Sequence, residues 1–167
     1  PYKLSPLKIK CFKKNKKIKE SLAFNDVSLI RSSSKIAKIK IEVNNKTRIE
    51  EFLGDGCLIA TPAGSSAYNL SLRGPVIPVG AKVLALTPIS PYRPRRWRGA
   101  LLTNDAKITL YAIDSKLRPV RAEADFMQFE NIDRLEIELE KKLFVNLLFD
   151  PGHDLEERII NEQFNNS

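Results

Sequence analysis

GDGCLIATPAGSSAYNLSLRGP, running from Gly54 to Pro75, is the stretch around which the chain is organised. Asp55-Gly56 is a turn signal. Cys57 to Thr61 is a short apolar run of the length of a buried strand. Pro62 and Gly64 bend the chain, Ser65 or Ser66 supplies a helix cap, and Gly74-Pro75 stops a helix of roughly two turns from Ser66 to Leu72. Strand, glycine turn and Ser-capped helix together offer backbone N–H groups and hydroxyls at a positive helix end. Such an arrangement suits a phosphate or another anion. On pattern alone, an ordinary strand–turn–helix corner accounts for the same residues equally well.

Upstream, apolar residues alternate with lysines. Leu7, Ile9 and Cys11 alternate with Lys8 and Lys10, Lys14-Asn15-Lys16 makes a turn, and Ile18 to Phe24 returns. Asn25-Asp26 is a turn or an irregular edge between apolar residues. Ala37, Ile39, Ile41 and Val43 alternate strictly with Lys38, Lys40 and Glu42, Asn44-Asn45-Lys46 turns, and Thr47 to Leu53 leads back to Asp55.

Downstream, Val83 to Thr87 reads as a buried strand, and Pro88, Pro91 and Pro94 predict irregular chain after it. Ile108–Ile113 and Val120–Ala124 are further strands, the second closed by Asp125. Leu135, Ile137 and Leu139 alternate with Glu136, Glu138 and Glu140, and Phe144–Phe149 is the last strand. Asp154 with Glu157 forms a capping box for a C-terminal helix over 153–164. The expected fold is therefore mainly β, a sandwich-like layered domain of about nine or ten strands with one short inserted helix and a C-terminal helix. The whole of 1–167 reads as one domain.

Composition sets the bounds. With 167 residues and 43% apolar content the chain builds a core of its own. No long uncharged apolar segment or signal peptide is evident, so neither a membrane span nor secretion is expected. Cys11 and Cys57 lack metal-type spacing, and the default is a reduced, cytoplasmic protein. The single histidine, His153, excludes a multi-histidine metal site and reads as surface polar. Net charge is +8, yet residues 1–48 hold fourteen Lys/Arg against three acids, and residues 123–162 hold twelve acids against four bases. Separate solvated faces, or complementary faces of an oligomer, explain this better than a polyanion site. Arg93-Pro-Arg-Arg-Trp-Arg98 is a basic cluster with an aromatic, but one loop without a nucleic-acid-binding fold signature does not make such a partner.

The pattern DGxxxxTPxGSxAYxxS, from Asp55 to Ser71, resembles the signature of the NAD kinase family, bacterial type, and the resemblance extends from about Leu22 to Phe164. It is neither a phosphate-binding Gly-Lys-Ser/Thr loop nor a nucleophile elbow. The resemblance implies the family's C-terminal, β-rich, dinucleotide-binding domain. It implies ATP-dependent phosphorylation of the adenosine-ribose 2′-hydroxyl of NAD, with Mg²⁺ or another divalent cation accompanying ATP. Homodimers or homotetramers are implied as well. On this resemblance Asn25 meets the adenine edge, Asp26 (a Glu in most of the family) lies by the adenosine ribose, and Asp55 takes the nicotinamide end. Ala63, Ser66, Ala67, Tyr68, Asn69, Leu70 and Ser71 line the middle of the dinucleotide, with Ser90 and Asp125 near the site. The family's catalytic Asp belongs to a Gly-Gly-Asp-Gly motif in an N-terminal domain, and this chain contains no Gly-Gly pair. Catalytic residues and metal ligands are thus expected outside it, and the chain by itself is expected to be inactive. The alternative is a non-catalytic dinucleotide- or nucleotide-binding module.

Overall fold

The structure, a computed structural model, describes residues 2–149 and 155–164. The strands are β1 (Tyr2–Leu4), β2 (Leu7–Lys13), β3 (Lys16–Ala23), β4 (Asp26–Arg31), β5 (Ala37–Val43), β6 (Lys46–Gly54), β7 (Gly56–Ala60), β8 (Val83–Ile89), β9 (Ala100–Thr103), β10 (Ile108–Ala112), β11 (Val120–Ala124), β12 (Met127–Ile132), β13 (Arg134–Leu139) and β14 (Val145–Leu147). The helices are α1 (Tyr68–Ser71) and α2 (Leu155–Phe164).

Alternation in the sequence becomes two layers. One antiparallel sheet has the order β3-β2-β13-β10-β5-β6, the other β12-β11-β4-β7-β8-β9, and β1 pairs with β14 in a separate ribbon. Between the large sheets lie Leu7, Ile9, Ile39, Ile41, Ile108 and Leu110 from the first, and Val27, Leu29, Ile59 and Leu84 from the second, all within one apolar core. Each such aliphatic side chain stabilises the fold by roughly 1.5–3 kcal/mol relative to exposure. Fully buried Phe52 meets Trp97 edge-on at 5.9 Å, so the Trp97 ring packs on the core instead of facing solvent as a stacking platform. The mainly β sandwich expected from the sequence is the observed architecture.

All five residues of β7 are buried because both of its faces are covered. Cys57 and Ile59 join the main core, while Leu58 and Ala60 pack with Ile77, Ala85 and Ile89 under the segment that carries α1. Both cysteines are free and buried, and burial pushes the Cys11 thiol up to about 11 and the Cys57 thiol higher still.

Several local expectations change. α1 begins at Tyr68, not Ser66, and no side chain caps it, because Ser65 turns inward to the carbonyl of Pro62 and to Ile77. The Asp55-Gly56 turn is a corner carrying the chain from the first sheet to the second, since β6 and β7 lie in different sheets. Pro88 sits inside β8, tolerated because the pairing with β9 ends at Leu86. β1, β4, β9 and β12 were not foreseen; Asp26, expected in a turn or irregular edge, opens β4, which lies between β11 and β7 in the second sheet. The lysines and acids share the outer face of the first sheet: Lys8 pairs with Glu20 at 3.2 Å and Glu140 at 3.8 Å, and the β2–β13 register sets Lys10 opposite Glu136. They are interleaved, not segregated. The proposed cap at Asp154 and the placement of His153 lie outside the described residues.

Candidate functional site on the open face of the second sheet

The segment from Pro62 to Ala81 covers only the β7–β8 side of the second sheet's outer face. Register fixes what the uncovered side presents. On the outer face of β4, Asp26 is half-buried, Ser28 is buried and Ile30 packs against the cluster under the covering segment, with Val27 and Leu29 in the core; Arg121 and Glu123 alternate out of β11 with Val120, Ala122 and Ala124 in the core. Glu123 stands opposite Ser28, and Gln128 of β12 opposite Glu123.

Phe24 to Asp26 are clamped from two sides. Asp125, with φ of 51°, turns its carboxylate onto three amides: Phe24 N–H donates to Oδ2 at 2.7 Å, and Asn25 and Asp26 N–H donate to Oδ1 at 2.9 and 3.3 Å. From the other side, the Thr61 hydroxyl donates to the Phe24 carbonyl at 2.6 Å and accepts from Gly64 N–H at 3.1 Å, while Thr61 N–H donates to the Asn25 carbonyl at 3.0 Å. Gly64 passes so close that a Cβ there would lie 2.0 Å from the Asn25 oxygen. Only glycine fits. The backbone of Asn25 is thereby fixed, and its exposed amide side chain makes no hydrogen bond among the described residues.

Burial first, then the charges of Glu123, Asp55 and Asp26, holds the Tyr68 phenol above its ordinary pKa. The ring is 42% exposed at the edge of the covering segment. Asp26 is pushed up to about 6, first by burial and then by Asp125 and Glu123. Among the described residues no donor reaches its carboxylate.

At the far end of β4, Arg31 anchors Asp55. Arg31 Nε donates to Asp55 Oδ1 at 2.8 Å, Arg31 N–H donates to the Asp55 carbonyl at 2.9 Å, and Nη1 donates to the Ser33 carbonyl at 2.6 Å. Asp55 N–H in turn donates to the Ile89 carbonyl, next to exposed Ser90 with its φ of 45°. The loop of arginines joins this end through a Leu53–Arg93 bridge and an Arg93–Glu51 ion pair at 3.2 Å.

Asn25, Asp26, Asp55 and Tyr68 therefore border one open face, with Ser90 and Asp125 at its two ends. Ser66, Ala67, Leu70 and Ser71 are exposed beside Tyr68. Asn69 is wholly buried. Its amide donates to the carbonyls of Ser65 (3.1 Å) and Pro75 (2.9 Å), and its oxygen accepts from the Thr87 hydroxyl at 2.6 Å, so it ties α1 to β8. Ala63 borders a different cavity, shared with Tyr2–Ser5 and Gly80–Leu84. Sequence reasoning passed over Arg31, Thr61 as a clamp, Arg121, Glu123 and Gln128. Alternation in 120–124 shows which of them point outward, but the neighbour each meets depends on pairing between strands some 90 residues apart.

No group of three or more His, Cys, Asp or Glu among the described residues is arranged to hold a metal. No helix among them is long and apolar enough to cross a membrane.

Comparison with known proteins gives the family. A family model described as the ATP-NAD kinase C-terminal domain matches residues 24–123. An NAD kinase of Xylella fastidiosa is 49% identical over 164 residues, 98% of this chain and 63% of the relative. One from Hyphomonas neptunium is 46% identical over 161 residues, 96% of this chain and 63% of the relative. Among solved structures, yeast NADH kinase complexed with NADH superposes with a TM-score of 0.83 at 26% identity, covering 98% of this chain and 49% of that one. An Archaeoglobus fulgidus NAD kinase in complex with ATP shares the fold, with a TM-score of 0.72 at 20% identity over 95% of this chain and 61% of that one. The chain thus spans about 63% of the length of these curated relatives. Its motif, its sandwich and these matches agree: the chain belongs to the NAD kinase family and corresponds to that family's C-terminal domain.

Proposed function

We propose that this chain supplies the dinucleotide-binding part of an NAD kinase, an enzyme that transfers the γ-phosphate of ATP to the 2′-hydroxyl of NAD's adenosine ribose. The observation that carries this reading is the open sheet face on which clamped Asn25 and Asp26, Tyr68 and Asp55 converge beside the family motif. Asn25 offers a free amide, donor and acceptor together, which suits an adenine edge. Asp26 accepts from the adenosine ribose, and Tyr68 packs on a sugar or base. Arg31-anchored Asp55 accepts from the nicotinamide carboxamide. Exposed Ser66, Ala67, Leu70 and Ser71 follow the middle of the ligand. Asn69 and Asp125 act one step back, by holding α1 and residues 24–26 in place. Ser90 lies at the nicotinamide end.

Phosphoryl transfer depends chiefly on positioning and charge neutralisation, so a domain of binding groups is a reasonable share of such an enzyme. In this reading ATP, its Mg²⁺ and the base for the 2′-hydroxyl are held outside the described residues. The chain alone then binds dinucleotide without turnover. The assembled enzyme is a cytoplasmic homodimer or homotetramer. The free, buried cysteines fit a reducing compartment.

Calorimetric titration of the chain with NAD and NADP, beside an Asn25→Ala, Tyr68→Ala double variant, tests the reading. Saturable binding by the parent and its loss in a folded variant is the expected result. Equal binding by both would move the site elsewhere. Measurable NADP formation from NAD and ATP by the chain alone would refute the division of labour.

A further inference from the structure

The motif leaves Glu123 without a role. It projects from β11 onto the same open face as Asp26, opposite Ser28, which is two residues further along β4. Glu123 and Asp26 are therefore diagonal neighbours, about 7–8 Å apart at the backbone, a gap that a Glu side chain spans readily. Glu123 Oε1 accepts from Arg121 Nε at 2.7 Å and from Gln128 Nε2 at 3.4 Å. Its Oε2 has no donor among the described residues, and neither has the carboxylate of Asp26. Arg121 is itself fixed, since Nη1 donates to the Arg31 carbonyl at 2.9 Å.

Two neighbouring, half-buried carboxylates thus present acceptor oxygens that no donor among the described residues fills. A guest rich in neutral donors fills them. An anion is repelled, and a bare metal ion lacks a third ligand, since no suitable trio exists among the described residues. A vicinal diol fits, because it offers two O–H donors side by side to acceptors that have none.

We propose that Glu123 is a further specificity-determining residue of this site, taking with Asp26 the vicinal hydroxyls of a ribose. Glu123 supplies the length that Asp26, one methylene shorter, does not have. This rests on the dinucleotide reading given above. The contrasting role is structural, with Glu123 merely holding Arg121 against β4.

Calorimetry with NAD and with an NAD analogue lacking the 3′-hydroxyl of its adenosine ribose separates the two. The parent is expected to bind NAD about tenfold more tightly than the analogue, each hydrogen bond to a charged group being worth that much or more. Glu123→Gln is expected to weaken NAD about tenfold and to abolish the discrimination. Adding Asp26→Glu to Glu123→Gln is expected to restore most of both, since reach returns from the neighbouring strand. If Glu123→Gln weakens NAD and analogue equally and Asp26→Glu rescues neither, Glu123 is structural and the proposal falls. Should Glu123→Gln fail to fold, the parent alone decides: equal affinity for NAD and analogue overturns the proposal. A folded parent that binds neither ligand overturns the dinucleotide reading itself, a result distinct from NAD binding without discrimination.

Discussion

Asp26 combines a cost in stability with the role in binding proposed for it. Its ordinary value is near 3.9 in an unfolded chain, whereas burial, reinforced by Asp125 and Glu123, pushes it up to about 6 in the fold. Between these values the folded chain keeps a proton that the unfolded chain has released. The Asp26 contribution is thus most favourable below pH 4, is lost as pH rises through about 6, and remains a penalty at neutrality. Asp26→Asn is expected to raise stability at pH 7 by about 1 kcal/mol, after discounting for solvent screening at a half-exposed group. It is also expected to flatten the pH dependence between 4 and 6 in thermal melts, while weakening NAD in calorimetry. A destabilised variant would mean that the carboxylate already has a partner. Gly64→Ala is the opposite case: a methyl group 2.0 Å from the Asn25 oxygen forces the turn away. The expected loss is about 2 kcal/mol or more of stability, with dinucleotide affinity falling alongside, as denaturant unfolding and titration would show. The sequence pattern singled out Asn25 and Asp26 as a pair. It could not reveal that Thr61, Gly64 and Asp125 hold their backbone, because those partners lie between 36 and 101 residues away.

The covering segment, residues 62–81, depends on Asn69 as an element depends on a pin. Replacing it with Ala removes three hydrogen bonds and leaves the buried Thr87 hydroxyl and Ser65 carbonyl without that partner. Asn69→Ala is expected to cost about 2–4 kcal/mol. Hydrogen exchange should show protection lost first in residues 62–81, with the core strands still protected; uniform loss would argue against a local pin. This element was the least legible locally. A serine-capped helix from Ser66 was a fair reading of GSSAY, but Ser65 is recruited by Ile77 and the helix shrinks to one turn. β7 was legible because both of its faces are buried and its apolar run is unbroken. β9 was not, because three of its four residues are exposed.

At the scale of the whole molecule, two sheets of six strands enclose one core; alternation in β2, β5 and β13 revealed a layered β domain, while the expected nine or ten strands fall short of the fourteen observed among the described residues. Strand order was not foreseeable. β13 inserts between β2 and β10, which brings the acidic stretch onto the lysine stretch. The charge asymmetry of the sequence vanishes on that face. Each of these exposed pairs contributes little, typically under about 1 kcal/mol. Their consequence is a mixed-sign surface, poorly suited to a polyanion. Retention on heparin at physiological salt is accordingly expected to be weak, and firm retention would contradict it.

The amides of Phe24, Asn25 and Asp26 wait for a carboxylate 99 to 101 residues further along the chain. During synthesis these three residues leave the ribosome long before Asp125 has been added. Their part of the ligand grip cannot set until the chain has grown past β11. A chain stopped at residue 119 is therefore expected to show no saturable NAD binding, although it carries the entire motif. Occupancy by the dinucleotide would in that sense report that translation had passed β11.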